Sequence, residues 1–212
     1  MRSLFRAVAS VAMVVGICTG VSGTLPMVSA ANAQDAKALL SVQPTDRVMG
    51  DANAPITMIE YASMTCPHCA RFSNTVLPDI EKKWIATGKV KLVYRDYSLD
   101  GVAMKAAQLA KCAPKERYFA IVEMMYREQA NWAKAQDPIA DLSKSLNGAG
   151  MNEEQVKACL ANEKVADNVV ADRHGGEQVG VKTTPTIFVN GEMFKGERTI
   201  EEFDALFTRL AK

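Results

Sequence analysis

The chain has 212 residues, 25 Lys and Arg against 24 Asp and Glu, a hydrophobic fraction of 48% and a charged fraction of 23%. That length and balance allow one ordinary domain, or one domain carrying a large insertion, and exclude wholesale disorder and collagen-like structure. A formal net charge of +1, with no Lys/Arg-rich run, gives no reason to expect nucleic acid as a partner.

Arg2 and Arg6, an apolar run from Ala7 to Cys18 and the small residues Ala31-Asn32-Ala33 match the three parts of a secretory signal peptide. Residues 1–33 are therefore read as an export signal cut after Ala33, with Ala30 the rival site. The alternative, an uncleaved anchor, has its apolar core broken by Gly16, Gly20, Gly23 and Pro26. Lipid attachment at Cys18 is disfavoured by bulky Ile17 before it. Removing the segment takes Arg2 and Arg6 and no acids, leaving 23 − 24 = −1. It leaves four cysteines, Cys66, Cys69, Cys112 and Cys159. An even number in an exported chain favours disulfides, but four cysteines permit three pairings and spacing does not choose among them.

Along the chain, residues 34–45 read as a mobile tail, followed by a short strand near Arg47–Met49. Ile56 to Met64 is apolar almost throughout, as in a strand buried on both faces. A helix is expected from about Cys66, with Cys69, Phe72, Val76, Ile80 and Trp84 on one face and a kink, without an ending, at Pro78. Lys89 to Tyr97 alternates and reads as a second long strand. From about Asp100 to Gly180 the chain is rich in Ala, Glu, Lys, Gln and Met, with helix-start signals at Asp137-Pro138 and at Asn152…Gln155. His174 beside Gly175-Gly176 is expected to mark a bend where this segment rejoins the sheet. Thr186–Asn190 and Glu192–Lys195 flank Asn190-Gly191, a hairpin signal. Thr199-Ile200-Glu201-Glu202 opens a terminal amphipathic helix through Phe203, Leu206, Phe207 and Leu210. The order predicts an α/β thioredoxin-type fold whose sheet is split by an inserted helical domain. Its boundaries are drawn at 46–100 for the first half, 101–178 for the insertion and 179–212 for the second half.

Cys66-Pro67-His68-Cys69 falls at a strand-to-helix junction. There a sulfur lies near unpaired helix N–H groups and the positive end of the dipole, which lowers a thiol pKa. Protonated His68 would add positive charge to the same end. A thiolate so stabilised is a good leaving group, so the disulfide is a ready oxidant. Cys66 is the expected attacking and attacked sulfur, Cys69 the resolving one and Pro67 part of the active-site turn. Haem attachment would need His after the second cysteine, where Ala70 stands, and a zinc site would need a second pair at ligand spacing. No metal and no cofactor beyond the Cys66–Cys69 disulfide is therefore expected. In Thr184-Pro185, a proline opening a strand fits a cis bond that presents Thr184 backbone groups to a client strand.

Cys-Pro-His-Cys after a buried strand, a helical insertion and a Thr-Pro segment opening a hairpin together resemble the DsbA-type thiol–disulfide oxidoreductases of bacterial cell envelopes. The resemblance covers about residues 45–212 and is most specific at the four active-site residues. It implies Cys66 as nucleophile, Cys69 as resolving thiol, His68 as thiolate stabiliser, Pro185 as the cis-proline and Glu60 as a buried acid assisting proton transfer near the inner cysteine. Glu60 has a second reading, an edge-strand carboxylate in solvent. The resemblance also implies a periplasmic monomer that passes its disulfide to unfolded or partly folded exported proteins and is reoxidised by a membrane quinone-linked thiol oxidase of DsbB type. Thr184 departs from the valine common before the cis-proline in family oxidases and resembles the isomerases, so an isomerase or reductase held reduced is the close alternative. A soft-metal-binding envelope protein using Cys66, His68 and Cys69 is the more distant one. Cys112 and Cys159, each on an apolar helical face, are read as a structural disulfide; two buried free thiols are the rival reading. Closing that loop would contribute about 4 kcal/mol in the chain-entropy model.

Overall fold

The computed structural model describes residues 28–212. A five-stranded mixed sheet runs in the order β1-β3-β2-β4-β5, formed by β1 (Arg47–Met49), β2 (Ile56–Ala62), β3 (Val90–Asp96), β4 (Thr186–Val189) and β5 (Glu192–Met193). β2 and β3 are parallel, paired from Ile56↔Val90 to Ala62↔Asp96, while β1 and β4 flank them antiparallel. Such a parallel pair needs a crossover, and the chain between them supplies it as α2 (Pro67–Thr75), α3 (Leu77–Ile80) and one π turn (Glu81–Ile85). The second crossover, from β3 to β4, carries α4 (Gly101–Lys111), a 3₁₀ turn (Lys115–Arg117), α5 (Tyr118–Arg127), α6 (Gln129–Trp132), α7 (Pro138–Gly148), α8 (Glu153–Leu160) and α9 (Glu163–Gln178). α10 (Ile200–Leu210) closes the chain, and α1 (Val28–Leu39) precedes the sheet. This is the thioredoxin fold with helices inserted between the two halves of its sheet.

Burial follows the strand period. Ile56, Met58, Leu92, Ile187 and Val189 point to one face, against Phe72, Ile80 and Trp84 of the crossover and Phe203 and Phe207 of α10. Ile59, Tyr61, Val93 and Phe188 point to the other, against Tyr97 and Val181. The inserted helices form their own core around Leu109, Tyr118, Met125, Trp132, Leu142 and Leu146. That core is continuous with Ala62, Met64, Cys66 and Cys69, so it reaches the head of α2.

Four expectations are corrected by the structure. Residues 34–39 are the last half of α1, and Leu39 and Ser41 offer their carbonyls to the buried guanidinium of Arg95 at 2.5 and 2.7 Å. The stretch drawn as a mobile tail is thus tied to the sheet, Ala-rich helix propensity and a charged donor holding it. Of the expected export signal, residues 1–27 lie outside the described residues, and the expected cut after Ala33 falls within α1. At Pro78 the helix divides: α2 ends at Thr75, Val76 leaves helical φ at −116°, and α3 restarts with Pro78 in its first turn. A proline there has no N–H for the Asn74 carbonyl, so the kink becomes a break. β3 does not alternate. Arg95 and Asp96 are buried, Arg95 paired with Asp46 at 2.8 Å and Asp96 with Lys111 at 3.2 Å. Finally, α9 runs straight through His174. Gly176 brings that helix onto the sheet so closely that a Cβ would stand 2.9 Å from Tyr97 and 3.0 Å from Tyr61. Gly176 serves close packing, and exposed His174 pairs with Glu177 on its own helix at 3.2 Å.

Candidate active site

Cys66 is the N-cap of α2, in extended conformation (φ −77°, ψ 119°), and Pro67 takes the first helical position, where its missing N–H costs nothing. One turn on, Cys69 is fully buried under the helix. Both are free thiols. Opposite them, the Thr184–Pro185 peptide bond is cis, and the Cys66 S–H donates to the Thr184 carbonyl at 3.4 Å. The Thr186 hydroxyl donates to the Thr183 carbonyl at 2.6 Å, closing the turn that presents Thr184. The Thr184 hydroxyl is buried and has no hydrogen-bond partner within the described protein.

The two thiols are driven apart. Cys66 is lowered to about 5, chiefly by the Cys69 S–H donating to its sulfur and then, against the cost of burial, by the Thr184 hydroxyl and the backbone N–H groups of Cys69 and His68. Cys69 is pushed far upward by burial first, and further because its hydrogen bond to Cys66 favours its neutral form. One thiolate and one thiol sharing a proton is the arrangement in which the outer sulfur exchanges and the inner one waits. His68 is exposed, and among the leading contributions to Cys66 it gives its backbone N–H.

Glu60, on central strand β2, is 1% exposed with one carboxylate oxygen unpartnered. Burial, opposed by the Arg198 charge and helped by that of Cys66, holds its carboxyl up at about 8. It forms part of the floor of a cleft of about 250 Å³ between α2–α3 and α5, beside Ser73, Tyr94 and Tyr126. The solvent-facing reading of Glu60 fails because β2 is flanked on both sides, by β3 and β4. Cys112 and Cys159 form a disulfide between the end of α4 and the last turn of α8. Among the described residues no three His, Cys, Asp or Glu side chains converge as metal ligands.

Sequence reading missed Gln129. Its side-chain amide is buried and donates to the Met64 carbonyl at 2.8 Å and the Cys66 carbonyl at 3.0 Å. Its signal was a polar residue at a core position, because Val122, Met125, Gln129 and Trp132 share one buried helical face. Also missed was the Thr65 hydroxyl, which donates to Asp100, the N-cap of α4, at 2.7 Å.

The family model described as thioredoxin matches residues 42–208. The chain belongs to the thioredoxin family. Within that family it is of the DsbA type. The crystal structure of Wolbachia pipientis alpha-DsbA1 superposes with a TM-score of 0.77 at 29% identity, covering 83% of this chain and 96% of that one. A Rickettsia conorii protein named for protein-disulfide oxidoreductase activity is 30% identical over 163 residues, 73% of this chain and 57% of the relative. The disulfide bond formation protein D of Bacillus subtilis is 27% identical over 73% of this chain and 72% of that protein. The chain thus spans less than two thirds of the length of the rickettsial relatives.

Proposed function

We propose that this chain is a thiol–disulfide oxidoreductase of the cell envelope that donates the Cys66–Cys69 disulfide to newly exported proteins. The observation that carries the reading is the acidic thiol of Cys66 at the head of α2, paired with a buried, strongly basic Cys69 and set against the Thr184 backbone. A client thiolate attacks Cys66, the Cys66–Cys69 bond breaks, and Cys69 leaves with the electron pair and takes up a proton. A second client thiolate then attacks the client sulfur of the mixed disulfide. Cys66 leaves as a thiolate, and the client holds the new disulfide. The stable Cys66 thiolate makes this last departure favourable and the oxidised protein a strong oxidant. Glu60, protonated at neutral pH, is suited to supply the proton that Cys69 needs. A membrane thiol oxidase of DsbB type would remove the two electrons and restore the disulfide. The resemblance to envelope oxidoreductases and the N-terminal signal pattern support export to the periplasm; among the described residues no helix is long and apolar enough to cross a membrane.

The competing role, an isomerase or reductase held reduced, draws on Thr184 before the cis-proline. Trapping thiols with acid in growing cells and counting them with a mass-adding alkylating reagent separates the two. Cys66 and Cys69 both oxidised supports donation of disulfides. Both free would replace that reading with the isomerase or reductase.

A further inference from the structure

The geometry points to Gln129 as a positioning residue through which the inserted helices hold the head of α2 in the form that stabilises the Cys66 thiolate. The side-chain amide of Gln129 has two N–H groups, and both are used on the segment that delivers Cys66, one on the Met64 carbonyl and one on the Cys66 carbonyl. The Cys66 carbonyl also accepts from the Ala70 N–H at 3.1 Å, the first hydrogen bond of α2. Because the Cys66–Pro67 peptide unit is planar, fixing its carbonyl fixes the start of the first turn. That turn carries the backbone N–H groups of His68 and Cys69, both of which stabilise charge on the Cys66 sulfur. Met64 is 1% exposed and Cys66 6%, so water does not readily replace a lost amide; the Cys66 carbonyl would keep only the Ala70 N–H, and the buried Met64 carbonyl, left without a donor, would drive the segment to rearrange. Gln129 belongs to neither the sheet nor α2. It starts α6, beside Trp132, whose indole N–H donates to the Met125 carbonyl at 2.8 Å and locks the turn from α5 into α6. The insertion thereby sets the chemistry of a cysteine that it does not contain.

This role for Gln129 rests on the functional reading in which Cys66 is the exchanging thiol, and loss of the amide has two measurable consequences. Gln129→Met keeps the length and apolar bulk of the side chain and removes both donors. Its Cys66 titration midpoint, read from ultraviolet thiolate absorbance, rises from about 5 by about one pH unit, a tenfold change in thiolate stability. The reduced form loses that stabilisation, so the equilibrium with glutathione shifts several-fold toward the disulfide and the protein becomes a weaker oxidant. A merely structural role would lower the urea stability of the oxidised and reduced forms equally and leave both the midpoint and the equilibrium in place. That outcome overturns the inference. Gln129→Asn, which keeps an amide too short to span both carbonyls, shifts both readings in the same direction by less. It decides the matter if the methionine variant does not fold, and unchanged values in it overturn the inference. A wild-type Cys66 that does not titrate in the acid range would instead overturn the functional reading itself.

Discussion

The two cysteine sites sit at opposite ends of helices. Cys66 caps the N-terminus of α2, where free N–H groups and the helix dipole favour negative charge. Cys112 is the C-cap of α4, and Cys159 lies in the last turn of α8. Those ends carry the negative pole of the helix dipole, opposite to the pole that faces Cys66. Each site also has a buried glutamine holding a cysteine carbonyl, Gln129 on Cys66 at 3.0 Å and Gln108 on Cys159 at 2.7 Å. The support is alike, so on the proposed function, in which Cys66 and Cys69 exchange and Cys112 and Cys159 stay closed, the difference falls to helix polarity and thiol placement.

The largest effect that tests this contrast is on exchange itself. Cys66→Ser should reduce transfer of a disulfide to a reduced client protein to the uncatalysed background. Replacing both Cys112 and Cys159 by Ser should leave the rate nearly unchanged. Comparable losses in the two variants would break the division of labour.

Glu60 brings the next largest effect, on stability against pH. Folded, its carboxyl keeps its proton up to about 8, against 4.5 for a solvated one. The folded state therefore binds a proton that the unfolded chain has released. The associated stability is complete below about 4.5 and lost as pH rises to about 8, a fall on the order of 5 kcal/mol. Glu60→Gln should flatten that fall. Urea unfolding of the oxidised protein across the interval, with neither Cys66 nor Cys69 able to titrate, measures it; parallel curves for the two proteins would show a carboxyl that titrates normally.

The bridge itself comes third. Opening the 47-residue separation between Cys112 and Cys159 should lower unfolding free energy by up to about 4 kcal/mol. Urea midpoints of the double serine variant check this. A loss of exchange activity at temperatures where that variant is folded would show that the insertion acts on Cys66 through the bridge as well as through Gln129.

The elements of the site that obey local rules were legible in the chain. Cys66 to Cys69 stand after a buried strand and before a helical pattern, Asn190 takes positive φ (49°) beside Gly191 at the hairpin, and Asn152 and Gln155 form the capping box that opens α8. The features that escaped depend on partners distant in sequence. Arg95 and Asp96 end a strand that reads as alternating, and both are buried because Asp46 and Lys111, distant in sequence, pair with them. The sequence separation of 63 between Gln129 and Cys66 hides a contact that the packing of α6 creates. The Gly175-Gly176 pair reads as a bend, yet α9 runs through it, and at Gly176 the rings of Tyr61 and Tyr97 fill the space a side chain would take.

The finest test of the contrast is a single hydroxyl. With Cys66 neutral, its S–H donates to the Thr184 carbonyl and the Thr184 hydroxyl has no protein partner. Once Cys66 ionises, the sulfur can only accept, and the hydroxyl can turn its proton toward it. The hydroxyl thus contributes to the charged state alone, which is the condition for shifting an equilibrium. It ranks behind the Cys69 thiol among the groups that lower Cys66. Thr184→Val, which keeps the branched shape, should therefore raise the Cys66 midpoint by roughly half a pH unit, about threefold in thiolate stability. Thr184→Ser should keep the wild-type midpoint. The same order should appear in the glutathione equilibrium, with the valine variant the weaker oxidant. If valine and serine behave alike, the effect belongs to the shape of the side chain; the polarity of α2 and its backbone N–H groups would then account for the acidity without the hydroxyl.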